Sequence, residues 1–422
     1  MVDSERLYYE DSFVTSFSGA VTELRSAPEN IRGPIWKVKL NRSAFYPSSG
    51  GQPFDTGELL ASANGSLMNV PVEQVEEDDE GGVWHFIPQP LAAGTPIEGC
   101  INWERRFDHM QQHTGQHLLS AAFLRELQAP TVSFHLGDAI STIDVATGNL
   151  TREALARVEN IANEIIAEDR PVAVRQLSRA EAEAMLASGS VRKLPDRDGV
   201  IRLIEIADCD LNACGGTHVR STGQIGSLLI RRVEKVSRGM RIEFLCGSRA
   251  VRAARADAAI LAETSALLSA GPAELAAAIR RLIAEEKAQS KERQKLREEL
   301  ATLQAAQLVS QSPIENGIRF IVHEWRDRDR DYVKLLASRT VVAAPATVVI
   351  FCANDGDPVR VYMARSSDLA FHCGQILREA LAGLGLRGGG SPDLSQGDVP
   401  AQQEPELRSK LIEVIRASQA LP

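Results

Sequence analysis

Cysteine is sparse in this 422-residue sequence: six residues, at positions 100, 209, 214, 246, 352 and 373, lie far apart rather than in clusters. That spacing excludes a disulfide-stapled secreted scaffold and suits a reducing cytoplasm. Long apolar runs are missing too, and none approaches the roughly 20 residues needed to cross a bilayer. The opening MVDSERLYYED is acidic and has no apolar core, so no secretory leader is expected. A Gly-rich stretch at 386–397 lacks the GK[ST] ending of a P-loop, which argues against nucleotide hydrolysis. Net positive charge is also lacking, at −9 overall. This argues mildly against a nucleic-acid partner, although local patches decide such binding rather than the sum. Hydrophobic and charged contents of 44% and 24% are those of a soluble globular protein. The length calls for roughly two to four domains.

What is present is organised around HTGQHLLSAAF, His113 to Phe123. Leu118, Leu119, Ala122 and Phe123 recur at helical spacing, and His113 and His117 therefore project from one helix face. Two imidazoles so placed can share a divalent cation. About a hundred residues later CGGTH offers Cys214 and His218, again four apart, with Gly215, Gly216 and Thr217 between them. Three imidazoles and one thiol suit Zn2+ better than magnesium or calcium. The pattern is not the HExxH of metalloproteases, because positions 114 and 116 are Thr and Gln. The two glycines let the backbone turn sharply and approach another segment closely.

HTGQHLLSAAF with a distant CGGTHV resembles the editing domain shared by alanyl-tRNA synthetase and the AlaX proteins, with related domains in threonyl-tRNA synthetase. The resemblance extends upstream to AFYPSSGGQPFDTGEL (44–59), similar to the family's glycine motif, and to SFHLGDAISTIDV between the two pairs. Downstream, LGLRGGGSPDLSQG resembles the Gly-rich stretch of the synthetase's DHH-associated domain. These matches imply a free-standing, long-form AlaX-type protein. Only about 100 residues precede the histidine helix, too few for an aminoacylation domain. They further imply hydrolysis of the ester joining serine or glycine to alanine tRNA, and possible homodimerisation through the helical arm and the C-terminal domain.

The expected fold class is α+β and multidomain. Residues 1–95 read as a β-rich domain, a small barrel or twisted sheet, because short apolar runs such as IWKVKL and VWHFI are separated by turn residues. Within it Gly50 and Gly51 suit a tight turn; the resemblance adds the alternative that their backbone approaches the acylated tRNA end. Residues 96–248 form the zinc-binding editing domain, with a helix at 151–169 capped by Thr151. VIRLIEIADCDLNACGGTHV reads as a strand delivering the second ligand pair, followed by a hairpin. Residues 249–311 form a helical or coiled-coil arm broken at Gly271-Pro272. Residues 312–422 form a C-terminal α/β domain whose Gly-rich segment, Leu386 to Gly397, reads as a flexible loop able to cradle phosphate.

For the chemistry, an activated aminoacyl ester requires a positioned water and a stabilised oxyanion. Four protein ligands describe a closed zinc site, so either one is displaced or the metal mainly anchors the terminal adenosine. Rejecting alanine while accepting serine requires a group that hydrogen-bonds the extra hydroxyl. Gln116 and His135 are the candidate catalytic polar groups, with Ser133, Gly50, Gly51, Gly215, Gly216 and Thr217 as candidate substrate contacts. In many editing domains a Thr stands where this chain has Gln116. His109, one turn before His113, is read as a helix-start residue. Nine basic residues lie between Arg220 and Arg255, opposed within that window only by Glu234 and Glu243. Arg231, Arg232, Lys235, Arg238 and Arg241 among them, with Arg387 further on, are candidates for contacting tRNA phosphates. Two rivals stand beside this reading: a non-catalytic RNA-binding protein with structural zinc, and a zinc hydrolase of another ester or amide.

Overall fold

The computed structural model describes residues 4–419 apart from 31–32, 64–65, 189–190, 192–193 and 196–198. The chain divides into two compact units, Met1–Glu263 and Thr264–Pro422. The architecture is mixed α and β with several separate sheets.

In the first unit, period-two alternation builds a seven-stranded sheet. Val38 and Leu40, Leu59 and Ala61, and Val70 and Val72 each point one way from their strands into one shared core. Strand Ser16–Asn30 belongs to both halves of this sheet. Its first residues pair with Pro96–Ile101, and from Val21 onward it pairs with Gly33–Leu40. The terminal strands, Ser66–Val72 and Gln74–Glu77, are not hydrogen-bonded to one another. Among the described residues the sheet therefore has two free edges, whichever of the two expected forms, small barrel or twisted sheet, describes it.

Helix Trp103–Leu127 follows directly. The Asn102 side chain caps it by accepting from Arg105 N, and Gln128 ends it in the left-handed region at φ 50°. Most of its length is buried on every side, and many of the buried residues are polar. His109 is accordingly no helix-start residue: it lies two turns in, 2% exposed. Thr151 caps helix Arg152–Ala167 as expected, accepting from Ala154 N. A four-stranded sheet ordered Thr131–Leu136, Ser141–Val145, Gly239–Cys246, Leu228–Val236 packs its apolar residues with these helices. A three-stranded sheet joins Val172–Leu177, Ile201–Ile206 and Asp210–Ala213. The single strand expected before CGGTH is thus two antiparallel strands, turning where Asp208 takes φ 55°. An Asp tolerates that conformation, which is why the turn carries no glycine.

In the second unit, helix Leu275–Gln311 precedes a five-stranded sheet. Its strand Thr347–Ala353 sends Val348, Ile350 and Cys352 to one core and Val349, Phe351 and Ala353 to another. Burial on both faces explains the unbroken apolar run TVVIFCA. The Gly-rich segment is not a flexible loop. Gly388–Gly390 forms a strand against Leu394–Val399. A Cβ on Gly388 would collide with Leu381, and one on Gly374 with the Gly390 backbone. The glycines allow sheet and helix Cys373–Ala382 to touch, which a phosphate cradle would not require. Arg387 is exposed beside this strand. Among the described residues no helix is long and apolar enough to cross a membrane.

Candidate metal centre and adjoining cavity

His113 and His117 extend from the buried face of helix Trp103–Leu127, and Cys214 and His218 leave the end of strand Asp210–Ala213. The two pairs meet: the four ligating atoms lie within 4.8 Å of one another. Cys214 Sγ stands 3.4 Å from His113 Nε2 and 3.3 Å from His218 Nε2. Bond lengths of a tetrahedral zinc site put sulfur and nitrogen about 3.5 Å apart, so the cluster has the size to hold a metal. The second nitrogen of each ring is engaged elsewhere. His113 Nδ1 lies 2.8 Å from Gln52 Oε1, His117 Nδ1 3.1 Å from Asp210 Oδ2, and His218 Nδ1 3.1 Å from Thr114 Oγ1. Outer partners of this kind aim a ring's remaining lone pair at a metal.

Electrostatics agree with a donor set. Burial opposes ionisation of Cys214, yet the adjacent imidazoles of His113 and His218 hold its thiol well below the ordinary range. Burial outweighs the attraction of Cys214 and drives His218 down to about 3. Burial also works against His117, but hydrogen bonds to Asp210 and Cys214 outweigh it and push that ring up to about 10.

A cavity of about 780 Å³ adjoins the cluster. His117, Cys214, Gly215 and Gly216 form one part of its wall, and Gly50, Gly51, Gln116, Ser133 and Phe134 another. Gly50 and Gly51 adopt φ 53° and 80°, and a Cβ on Gly51 would lie 2.7 Å from the Phe134 ring. Gln116 is buried; its Nε2 donates to Ser120 Oγ at 2.9 Å, while Oε1, itself buried, has no hydrogen-bond partner among the described residues. Ser133 Oγ donates to Asp144. Two sequence candidates are not brought to the wall. His135 is exposed outside the cavity lining, and Thr217, fully buried, bonds Gln52 instead.

The basic stretch is less positive than its sequence window suggested. Arg220 pairs with Asp11, Arg231 with Asp257, Arg232 with Glu234, Arg241 with Asp144, and Arg249 with Asp108. Most of these carboxylates lie outside the window in sequence and reach it only through folding. Lys235 and Arg238 lie in and just after strand Leu228–Val236.

Sequence reasoning missed the residues that support the site. Arg106 and Asp55, both 0% exposed, form an ion pair that also ties Ser12 O and Ala44 O. Arg202, 4% exposed, donates to the carbonyls of Tyr9, Cys214 and Gly216 and so holds the CGG turn. An Arg in a strand and a Gln in a turn have no periodicity to mark them. The sole hint was their place within or near the recognised motifs.

Comparison with known proteins now bears on the chain. The family model described as "Threonyl and Alanyl tRNA synthetase second additional domain" matches residues 201–243, and the DHHA1 domain model matches residues 317–417. Alanine–tRNA ligase from Pyrococcus furiosus is 33% identical over 99% of this chain and 44% of its own length. The alanyl-tRNA editing protein AlaX-L from Pyrococcus horikoshii is 28% identical, with 98% of both chains covered. The chain spans less than half the length of the alanine–tRNA ligases it matches. One solved structure, the C-Ala domain of Aquifex aeolicus alanyl-tRNA synthetase, is 21% identical and covers 24% of this chain and 96% of its own. Its TM-score of 0.23 is below the level at which a shared fold can be argued. A full-length match to a relative of the AlaX type, with the two domain matches at 201–243 and 317–417, shows the chain to be similar to AlaX-type proteins and to part of the alanine–tRNA ligases.

Proposed function

We propose that the protein hydrolyses the ester of alanine tRNA mischarged with serine or glycine, using a zinc-containing site. One observation carries this reading: four zinc-type donors line, or lie directly behind, the wall of a cavity large enough for an aminoacyl adenosine. His113, His117, Cys214 and His218 would hold the metal, which when bound supplies positive charge beside the substrate ester. The remaining work falls to the chain's own groups. Gly50, Gly51 and Gly215 offer bare backbone that lets the terminal nucleotide approach closely. Ser120 Oγ accepts from Gln116 Nε2; Gln116 lines the cavity, and its buried Oε1, without a hydrogen-bond partner among the described residues, becomes an acceptor for substrate once the side chain turns toward the cavity. Turned so, it would accept from a seryl hydroxyl, whereas the alanyl methyl group can offer nothing, and this difference supports sparing of the correct product. His135 has no part in this reading. The division of the chain into four domains, the tRNA contacts of Lys235, Arg238 and Arg387, and a homodimer belong to the same proposal. The exposed Leu282, Leu296 and Leu303 on helix Leu275–Gln311 support the homodimer.

A second reading has its own support: four protein ligands fill a tetrahedron, as in structural sites. In that case the protein binds RNA and catalyses nothing. Incubating the protein with seryl-, glycyl- and alanyl-tRNA, with and without a chelator, separates the two. Seryl- or glycyl-tRNA is expected to lose its amino acid while alanyl-tRNA persists, with the activity abolished by the chelator. Persistence of all three at the uncatalysed rate, with RNA binding intact, would establish the binding protein instead.

A further inference from the structure

We propose that Gln52 is the positioning residue that sets the ring of His113 for metal binding and fastens the 48–53 turn to the metal centre. The proposal rests on the metal-centre reading above.

Gln52 is 2% exposed. Its Oε1 lies 2.8 Å from His113 Nδ1 and 3.1 Å from Thr217 N, and its Nε2 lies 2.8 Å from Thr217 Oγ1. A backbone N–H can only donate, so the amide atom facing Thr217 N is the oxygen. The same oxygen faces His113, so Nδ1 must carry that ring's hydrogen. The lone pair of the neutral imidazole then falls on Nε2, the atom 3.4 Å from Cys214 Sγ. The amide cannot turn over without breaking its bonds to both Thr217 and His113. Gly216 makes the contact possible, since a Cβ there would collide with the His113 ring and come within 3.0 Å of Gln52 Oε1.

The other two rings have comparable partners in Asp210 and Thr114. Gln52 differs from them in origin. It comes from the glycine segment of the N-terminal part of the chain, 61 residues before His113 and 165 before Thr217. One amide thus joins three separate stretches: the glycine turn, the histidine helix and the CGGTH loop.

The test measures zinc affinity of the full chain by competition with a chromophoric chelator, alongside 15N shifts of the His113 ring in metal-free protein. Gln52→Leu is expected to weaken zinc binding by about 10–100-fold, the effect of losing an outer-shell partner, and to give His113 mixed tautomers. Gln52→Glu still accepts from both His113 and Thr217 N and is expected to recover most of the affinity. Equal zinc affinity in wild type and Gln52→Leu, or an unchanged Nδ1–H signal, overturns the proposal. A wild-type chain that takes up no zinc overturns the metal reading and this one with it. If circular dichroism shows Gln52→Leu unfolded, Thr217→Val takes its place, since it keeps the N–H but loses the hydroxyl acceptor. Several-fold weaker zinc binding is then expected, and unchanged affinity overturns the proposal.

Discussion

Two glycine-rich segments, SSGGQP at 48–53 and RGGGSPDLSQG at 387–397, look alike in sequence and do different work. In the first, Gly50 and Gly51 take positive φ and bring bare backbone to the wall of the cavity. In the second, Gly388 and Gly390 lie in a strand pressed against helix Cys373–Ala382. The first uses glycine for left-handed backbone, and at Gly51 for room beside the Phe134 ring as well; the second uses it chiefly for close contact of backbone with backbone and with Leu381. Composition alone cannot separate these uses; backbone conformation and the neighbours a Cβ would have met do so together.

This contrast assigns metal chemistry to the first region and packing to the second, and mutations can break it. The largest effect is expected from Cys214→Ala, which removes a ligand. Zinc affinity should fall beyond the roughly 100-fold upper end for outer partners, read by elemental analysis after dialysis. Normal zinc content would remove Cys214 from the site. Gly216→Ala puts a methyl group into the His113 ring, and the strain of such overpacking should weaken zinc by about tenfold or more. Gly374→Ala drives a Cβ into the Gly390 backbone, which cannot move aside as a side chain would. It should cost about 1–3 kcal/mol in denaturant unfolding of the C-terminal unit, with zinc affinity unchanged. A loss of zinc there would show that the two regions are not independent. The smallest effect is expected at Gly50, where among the described residues a Cβ would meet just the Tyr46 hydroxyl, at 4.0 Å. Gly50→Ala should cost about 1 kcal/mol from its left-handed backbone alone, visible as a small shift in unfolding midpoint.

The four donors were legible because helical spacing and a short loop each fix a pair locally. Their meeting could be expected from ligand chemistry, which prefers four donors to two. The cap at Thr151 was legible for the same local reason. The support around the cluster was not. Gln52 finds Thr217 far along the chain, and Asp210 finds His117 across a strand, so neither leaves a periodic trace. The charge of the 220–255 window misled because Asp11, Asp108, Asp144 and Asp257 enter it only in three dimensions. His135 shared a strand with cavity residues and still fell outside the lining.

The buried pair of Arg106 and Asp55 limits how this protein can be cut or transplanted. Its cation sits on the histidine helix and its anion beside the glycine turn, and removing either side strands an ion away from water. Such an orphan costs about 3–5 kcal/mol, a large part of a domain's whole stability. A graft of the histidine helix into another scaffold must therefore bring residues 44–55 with it, or replace both members of the pair together with apolar groups of matching volume.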